Sequence, residues 1–174
     1  VETTDRMIEA LLLAMKTEGP KAVADSSDYE SRANIMWAGM MAHNNSCGVG
    51  RSQDWTSHGI EHELSALYDC AHGAGLAVTM PAVFTYTMKH DVMRFAKVAV
   101  RVWGCQMDFD NPENTAKEGI KALQNFLVSI GMPKNFAELG AKPEDIEKLA
   151  HTCCYGNGGS GEIQGFTKLN QKDV

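Results

Sequence analysis

Three of the chain's six histidines, His58, His62 and His72, fall within the stretch Asp54–Gly75, DWTSHGIEHELSALYDCAHGAG. Neutral imidazole binds divalent iron or zinc, and a catalytic metal site keeps one coordination position open for substrate. Two histidines alone hold such an ion weakly. A competent site needs one or two further ligands, typically including a carboxylate, and Glu61, Glu63 and Asp69 are near in sequence. The competing reading is that histidines on a helix are structural or solvated, and spacing alone leaves both open.

His58 and His62 are four residues apart, so on one helix their rings project from the same face about one turn from each other. His72 lies fourteen residues past His58. On a straight helix that offset separates them by about 21 Å along the axis, too far to share an ion. A shared site therefore requires the chain to fold back between Tyr68 and Gly75, where Gly73 and Gly75 permit a bend. The expectation is two helices meeting at a corner, with a histidine from each. Glu61 and Glu63 are rotated away from the His58 face by roughly 100° per residue, which suits contacts behind the ligands or on the surface. His58-Gly59-Ile60-Glu61-His62 also fits H-x-x-E-H, the inverted zinc-peptidase pattern, in which the glutamate activates water. That reading needs a third ligand of the kind Glu138 or Glu144 would supply.

The elements that must position these residues read as helices. Met7, Ile8, Leu11, Leu12 and Met15 recur at helical spacing, and Gly19 with Pro20 is expected to end that helix. Asp28 is placed to cap a second helix, apolar on most sides and so expected to be central, with Ile35, Met36, Met40 and Met41 in the core. Asn44 to Gln53 reads as a loop whose G-V-G is a weak phosphate signal. A helix over Thr56 to Tyr68 carries the first two histidines, and an apolar helix over Leu76 to Met88 follows, with Pro81 in its first turns. DVMRFAKVAVRVWG forms another, closed by Gly104. Asn111 and Pro112 open a helix bearing Ile120, Leu123, Phe126, Leu127 and Ile130, stopped by Gly131, Met132 and Pro133. Pro143 begins a last short helix. Residues 155–174 are glycine-rich and expected to be weakly ordered, with GNGGSG read as a surface loop because no Lys-Ser/Thr pair follows it. No strand alternation or internal repeat is visible. The fold class is all-α, a bundle of about seven helices in a single domain over residues 1–174.

Composition narrows the function. The chain has 174 residues, 44% of them apolar, which suffices for one core. A net charge of −6, with lysines and arginines scattered, indicates no surface for nucleic acid or anionic lipid. The five cysteines form no even framework and no C-x-x-C, which reads as reduced thiols in a cytoplasmic protein. No apolar run approaches the roughly 20 residues a membrane span requires. The chain opens at Val1 already inside a helical pattern, so it is expected to be a fragment of a larger protein.

The run DWTSHGIEHELSALYDCAHGAGLAVTMPA resembles the hallmark of the iron-containing (group III) alcohol dehydrogenases, in particular their NADPH-dependent butanol dehydrogenase branch. YESRANIMWAGMMAHN, FAKVAVRVWG and GEIQGFTKLN extend the resemblance along the whole chain. It implies the all-helical, dehydroquinate synthase-like C-terminal domain, which holds the metal and follows an N-terminal dinucleotide-binding domain absent here. It implies one divalent ion, iron or sometimes zinc, bound by an Asp, a His a few residues later, and two histidines fourteen apart. The last two correspond to His58 and His72. His62 corresponds to a histidine near the nicotinamide and substrate, with a proton-relay or positioning role. The Asp and first His belong to a segment preceding Val1. The implied reaction is reversible hydride transfer between NADPH and an aldehyde, in an enzyme expected to be a homodimer, with this fragment inactive alone. The alternatives are a small zinc peptidase on His58, Glu61 and His62, and a non-catalytic helical interaction module.

Overall fold

The computed structural model describes the backbone of all 174 residues and every side chain except that of Asn157, which lies in the GNGGSG run. Among the described residues there are eight α-helices: α1 (Glu2–Ala24), α2 (Tyr29–His43), α3 (Thr56–Tyr68), α4 (His72–Thr87), α5 (Val92–Val98), α6 (Pro112–Ser129), α7 (Phe136–Leu139) and α8 (Ile146–Tyr155). The all-α expectation holds. The helix beyond the expected seven is α7, one turn long and too short to show a periodicity. A two-stranded antiparallel ribbon, β1 (Glu162–Ile163) and β2 (Leu169–Asn170), follows α8. Each strand has two residues, too few for alternation to register in sequence, and Leu169 anchors the ribbon by burial. No helix of the structure is long and apolar enough to cross a membrane.

Capping chemistry sets several boundaries where the sequence places them. Asp28 accepts from the Ser31 backbone N–H at 3.3 Å and Asp91 from that of Arg94 at 3.0 Å, fixing the starts of α2 and α5. Pro112 opens α6. Asn111 makes no side-chain cap there, and the loop before it is braced by Asp108, whose Oδ1 accepts from the backbone N–H groups of Asp110 and Asn111 at 3.1 and 2.8 Å.

The prolines depart from expectation. Pro20 does not end α1, which continues to Ala24. The bond lost at Pro20 is offset by ties on either side of it, since Glu18 accepts from Ser31 on α2 at 3.0 Å and from Lys21 at 2.9 Å. Pro81 lies beyond the middle of α4, because that helix starts at His72 rather than Leu76. Interior proline costs a helix about 3 kcal/mol, which tertiary burial must exceed. It does so here: Ala77, Val78, Pro81 and Val83 are all buried.

Those residues make α4 the central helix. The expectation that α2 is central fails, for Met36 and Trp37 are 73% and 66% exposed and Met40 also faces outward. A helix apolar all round gives no phase to its pattern, and the face that packs is the small one, Ser31 and Ala38. The core gathers Met88, Ala116 and Ile120, with Phe84, Val92 and Phe95 against them.

The segment after α5 widens into a π-helical turn, Ala99–Trp103, closed by Gly104 with φ of 75°. Gly119 of α6 lies flush against it. A methyl group there would overlap the Ala99 side chain and approach its Cα at 2.8 Å, in a backbone that cannot yield cheaply. Gly119→Ala is therefore expected to destabilise the fold by about 1–3 kcal/mol in urea unfolding.

Asp5 ties α1 to the rest of the fold, accepting from Arg51 at 2.5 Å and Arg94 at 3.2 Å. The Arg51 hydrogen bond, more than the field of Arg94, holds its carboxyl below the ordinary 3.8. A carboxyl depressed by folding contributes stability above its ordinary value and loses it as pH falls through the folded one. Asp5→Asn is expected to be less stable than the native chain by about 1 kcal/mol at neutral pH. The difference should close below the ordinary value of 3.8, as followed by thermal melts across pH.

Candidate metal centre

Asp54, ahead of α3, accepts from the Thr56 backbone N–H at 2.9 Å and from its hydroxyl at 2.6 Å, which fixes where α3 begins and hence where His58 points. The other end of α3 is held by Tyr68, which donates to Asp145 at 2.6 Å and accepts from the Lys142 N–H at 3.0 Å. Thr79 of α4 donates to the Ser57 carbonyl at 3.3 Å, locking the two helices at their shared face.

Between them the chain turns in three residues, Asp69, Cys70 and Ala71. The reversal is made by Asp69, in the left-handed region at φ of 51°, while Gly73 and Gly75 lie inside α4. Aspartate tolerates that region because its short polar side chain can bond locally. The glycine signal in the sequence thus has a different cause. A Cβ at Gly75 would fall 2.6 Å from the Cγ and Oε1 of Glu61, so this residue is small to admit a side chain of α3.

The corner brings all three histidines together. Ring centroids are 5.4 Å apart for His58 and His72, 5.5 Å for His62 and His72, and 6.5 Å for His58 and His62. Trp55 packs edge-on to His58 at 5.0 Å. His62 is exposed, His58 partly buried, and the His72 side chain is 50% exposed. Burial, aided by the neighbouring His72 and His62, pushes the His58 pKa down and favours its neutral form.

Glu61 lies behind these rings with no exposed surface. It accepts from the Ser65 hydroxyl through Oε1 and contacts His72 Nδ1 through Oε2. Glu61, His62 and His72 each present a ligand atom within 4.8 Å of the others. Imidazole nitrogens are donors that iron and zinc accept, so the three histidines fit a divalent ion, while the Glu61 carboxylate engages Ser65 and His72 behind them. Helical rotation places Glu61 off the histidine face, as its sequence position implies, but its complete burial had no signal beyond the glycine at 75. Glu63 is half-buried outside the cluster, Asp69 is exposed at the turn, and Glu144 is exposed in the turn before α8. Glu138 is engaged elsewhere, accepting from the Lys134 N–H at 2.8 Å.

Residues 1–174 match the Fe-containing alcohol dehydrogenase family, C-terminal. The chain belongs to that family. It is 35% identical over 171 residues to NADH-dependent butanol dehydrogenase A of Clostridium acetobutylicum, covering 98% of this chain and 43% of that protein. It is 33% identical over 145 residues to the NADPH-dependent aldehyde reductase YqhD of Escherichia coli, covering 83% of this chain and 37% of the reductase. The crystal structure of NADH-dependent butanol dehydrogenase A from Thermotoga maritima superposes with a TM-score of 0.90 at 30% identity, over 99% of this chain and 44% of that one. The chain thus spans less than half the length of these relatives, and corresponds to the C-terminal, all-helical part of the family.

The left-handed Asp69 yields a test of the corner. Asp69→Val is expected to cost about 1–2 kcal/mol, because a branched side chain is strained at positive φ, whereas Asp69→Gly should not destabilise. Equal stabilities for the two variants in denaturant titrations would refute this account of the turn.

Proposed function

We propose that this chain is the metal-binding domain of an NAD(P)-dependent alcohol dehydrogenase that interconverts aldehydes and primary alcohols. The observation that carries the proposal is the convergence of His58, His62 and His72 at the α3–α4 corner. His58 and His72 hold a divalent ion, iron or zinc, with an Asp and a His from the part of the protein preceding Val1. That ion supplies Lewis-acid polarisation of a carbonyl oxygen. His62, exposed beside the pair, holds and moves the proton that accompanies alcohol formation. Trp55 and the buried wall of α4 limit the orientations open to the His58 and His72 rings, so that the substrate meets a prearranged site.

The remaining parts of the reaction belong to an N-terminal dinucleotide-binding domain of the same protein, which positions the nicotinamide against the substrate carbonyl. The coenzyme is a nicotinamide dinucleotide: the hallmark resembles an NADPH-dependent branch, whereas the similar butanol dehydrogenases are NADH-dependent. Met36 and Trp37 on the uncovered face of α2 support a docking surface in the intact protein, which we expect to be a homodimer. The five free cysteines support a cytoplasmic setting. Residues 1–174 hold only two of the ligands proposed above, and we expect them to be inactive without the rest of the protein. A peptidase built on H-x-x-E-H is disfavoured by Glu61, whose carboxyl group is fully buried and engaged by Ser65 and His72.

In the full-length protein, His58→Ala and His72→Ala are each expected to abolish tight metal binding, measured by elemental analysis after gel filtration. His62→Ala should keep the metal and lower kcat by about 100-fold or more. Metal retention in His72→Ala combined with its loss in His62→Ala would overturn the assignment.

A further inference from the structure

Glu61 is the one fully buried carboxylate among the described residues, and no lysine or arginine there pairs with it. Burying a carboxylate is costly unless its oxygens are hydrogen-bonded, and both are engaged. Oε1 takes the Ser65 hydroxyl, one turn further along α3, and Oε2 faces Nδ1 of His72 across the corner. The third wall is the backbone of α4 at Gly75, where any side chain would strike the carboxylate. Ser65, Gly75 and His72 therefore confine one carboxylate to one place.

We propose that Glu61 is a positioning residue that holds the His72 ring in the tautomer and orientation required for metal binding. The inference rests on the reading of His72 as a metal ligand. With Nδ1–H donated to the buried Oε2, the free lone pair of the ring is on Nε2, on the opposite edge of the imidazole. A carboxylate behind a ligating histidine fixes the ring and strengthens its donation, and losing such a partner typically weakens metal affinity by about 10–100-fold. Glu61 does not ligate the ion itself in this arrangement, because both of its oxygens are spent inside the protein. Gly75 and Ser65 act through Glu61, and none of the three touches the substrate.

The test is a Co2+ titration of the full-length metal-free protein, read by visible d–d absorption, with folding checked by circular dichroism. Glu61→Ala and Gly75→Ala are expected to weaken Co2+ binding by about 10–100-fold. Ser65→Ala should weaken it less. Glu61→Gln should restore most of the affinity with unchanged band positions, since an amide oxygen still accepts from Nδ1–H. A merely structural role for Glu61 predicts no such rescue pattern. Native affinity in folded Glu61→Ala, while His72→Ala loses binding, would overturn the positioning role and leave the metal site standing. Native affinity in His72→Ala would instead overturn the metal site itself. If Glu61→Ala does not fold, folded Gly75→Ala and Ser65→Ala decide, and native affinity in both counts against the proposal. Shifted d–d bands in Glu61→Gln would make Glu61 a ligand and equally overturn it.

Discussion

A carboxylate sealed between two helices is the constraint around which this domain is arranged. Water solvates an ionised carboxylate strongly, so Glu61 can be buried only where protein groups replace that solvation. The groups that do so, Ser65 and His72, lie on either side of the α3–α4 turn. Satisfying the charge therefore requires the two helices to hold one relative orientation. Everything that stiffens the corner serves that requirement, including Asp54 at the head of α3, the Tyr68 contacts at its tail and the Thr79 bond across the pair.

The same arrangement gives the corner two chemically distinct sides. Inward lie a carboxyl group, a hydroxyl and closely packed backbone. Outward lie the imidazoles of His58 and His62 and the half-exposed ring of His72. A ring anchored on its inner edge and open on its outer one suits the ligand role proposed for His72, since a ring ordered only on binding would subtract from affinity.

How far the sequence reveals this depends on which force sets each feature. Helix starts at Asp28, Asp91 and Pro112 are local hydrogen-bonding and φ decisions, and they are legible. Pro20 and Pro81 mislead because tertiary burial outweighs a local penalty of known sign. The outward face of α2 misleads for the opposite reason: a helix apolar all round says nothing about which side is covered, and the answer is the side of smallest residues. At the site, the spacing of the histidines calls for a reversal only if His58 and His72 share a site, and the residue that makes the reversal is Asp69 and not a glycine. The π-helical turn at Ala99–Trp103 leaves no mark that distinguishes it from ordinary helix. The depth of Glu61 is likewise invisible, since it arises from the crossing of two helices and not from either one.

The contact between Glu61 and His72 closes over only eleven residues of chain. Closing so short a loop carries a small entropic cost, and contacts that are near in sequence form early as a chain folds. The two helices of the corner can thus meet early, before Tyr68 at the end of α3 finds Asp145 from across the fold. What this corner presents to a ligand is thus written into one short length of chain, Glu61 to His72.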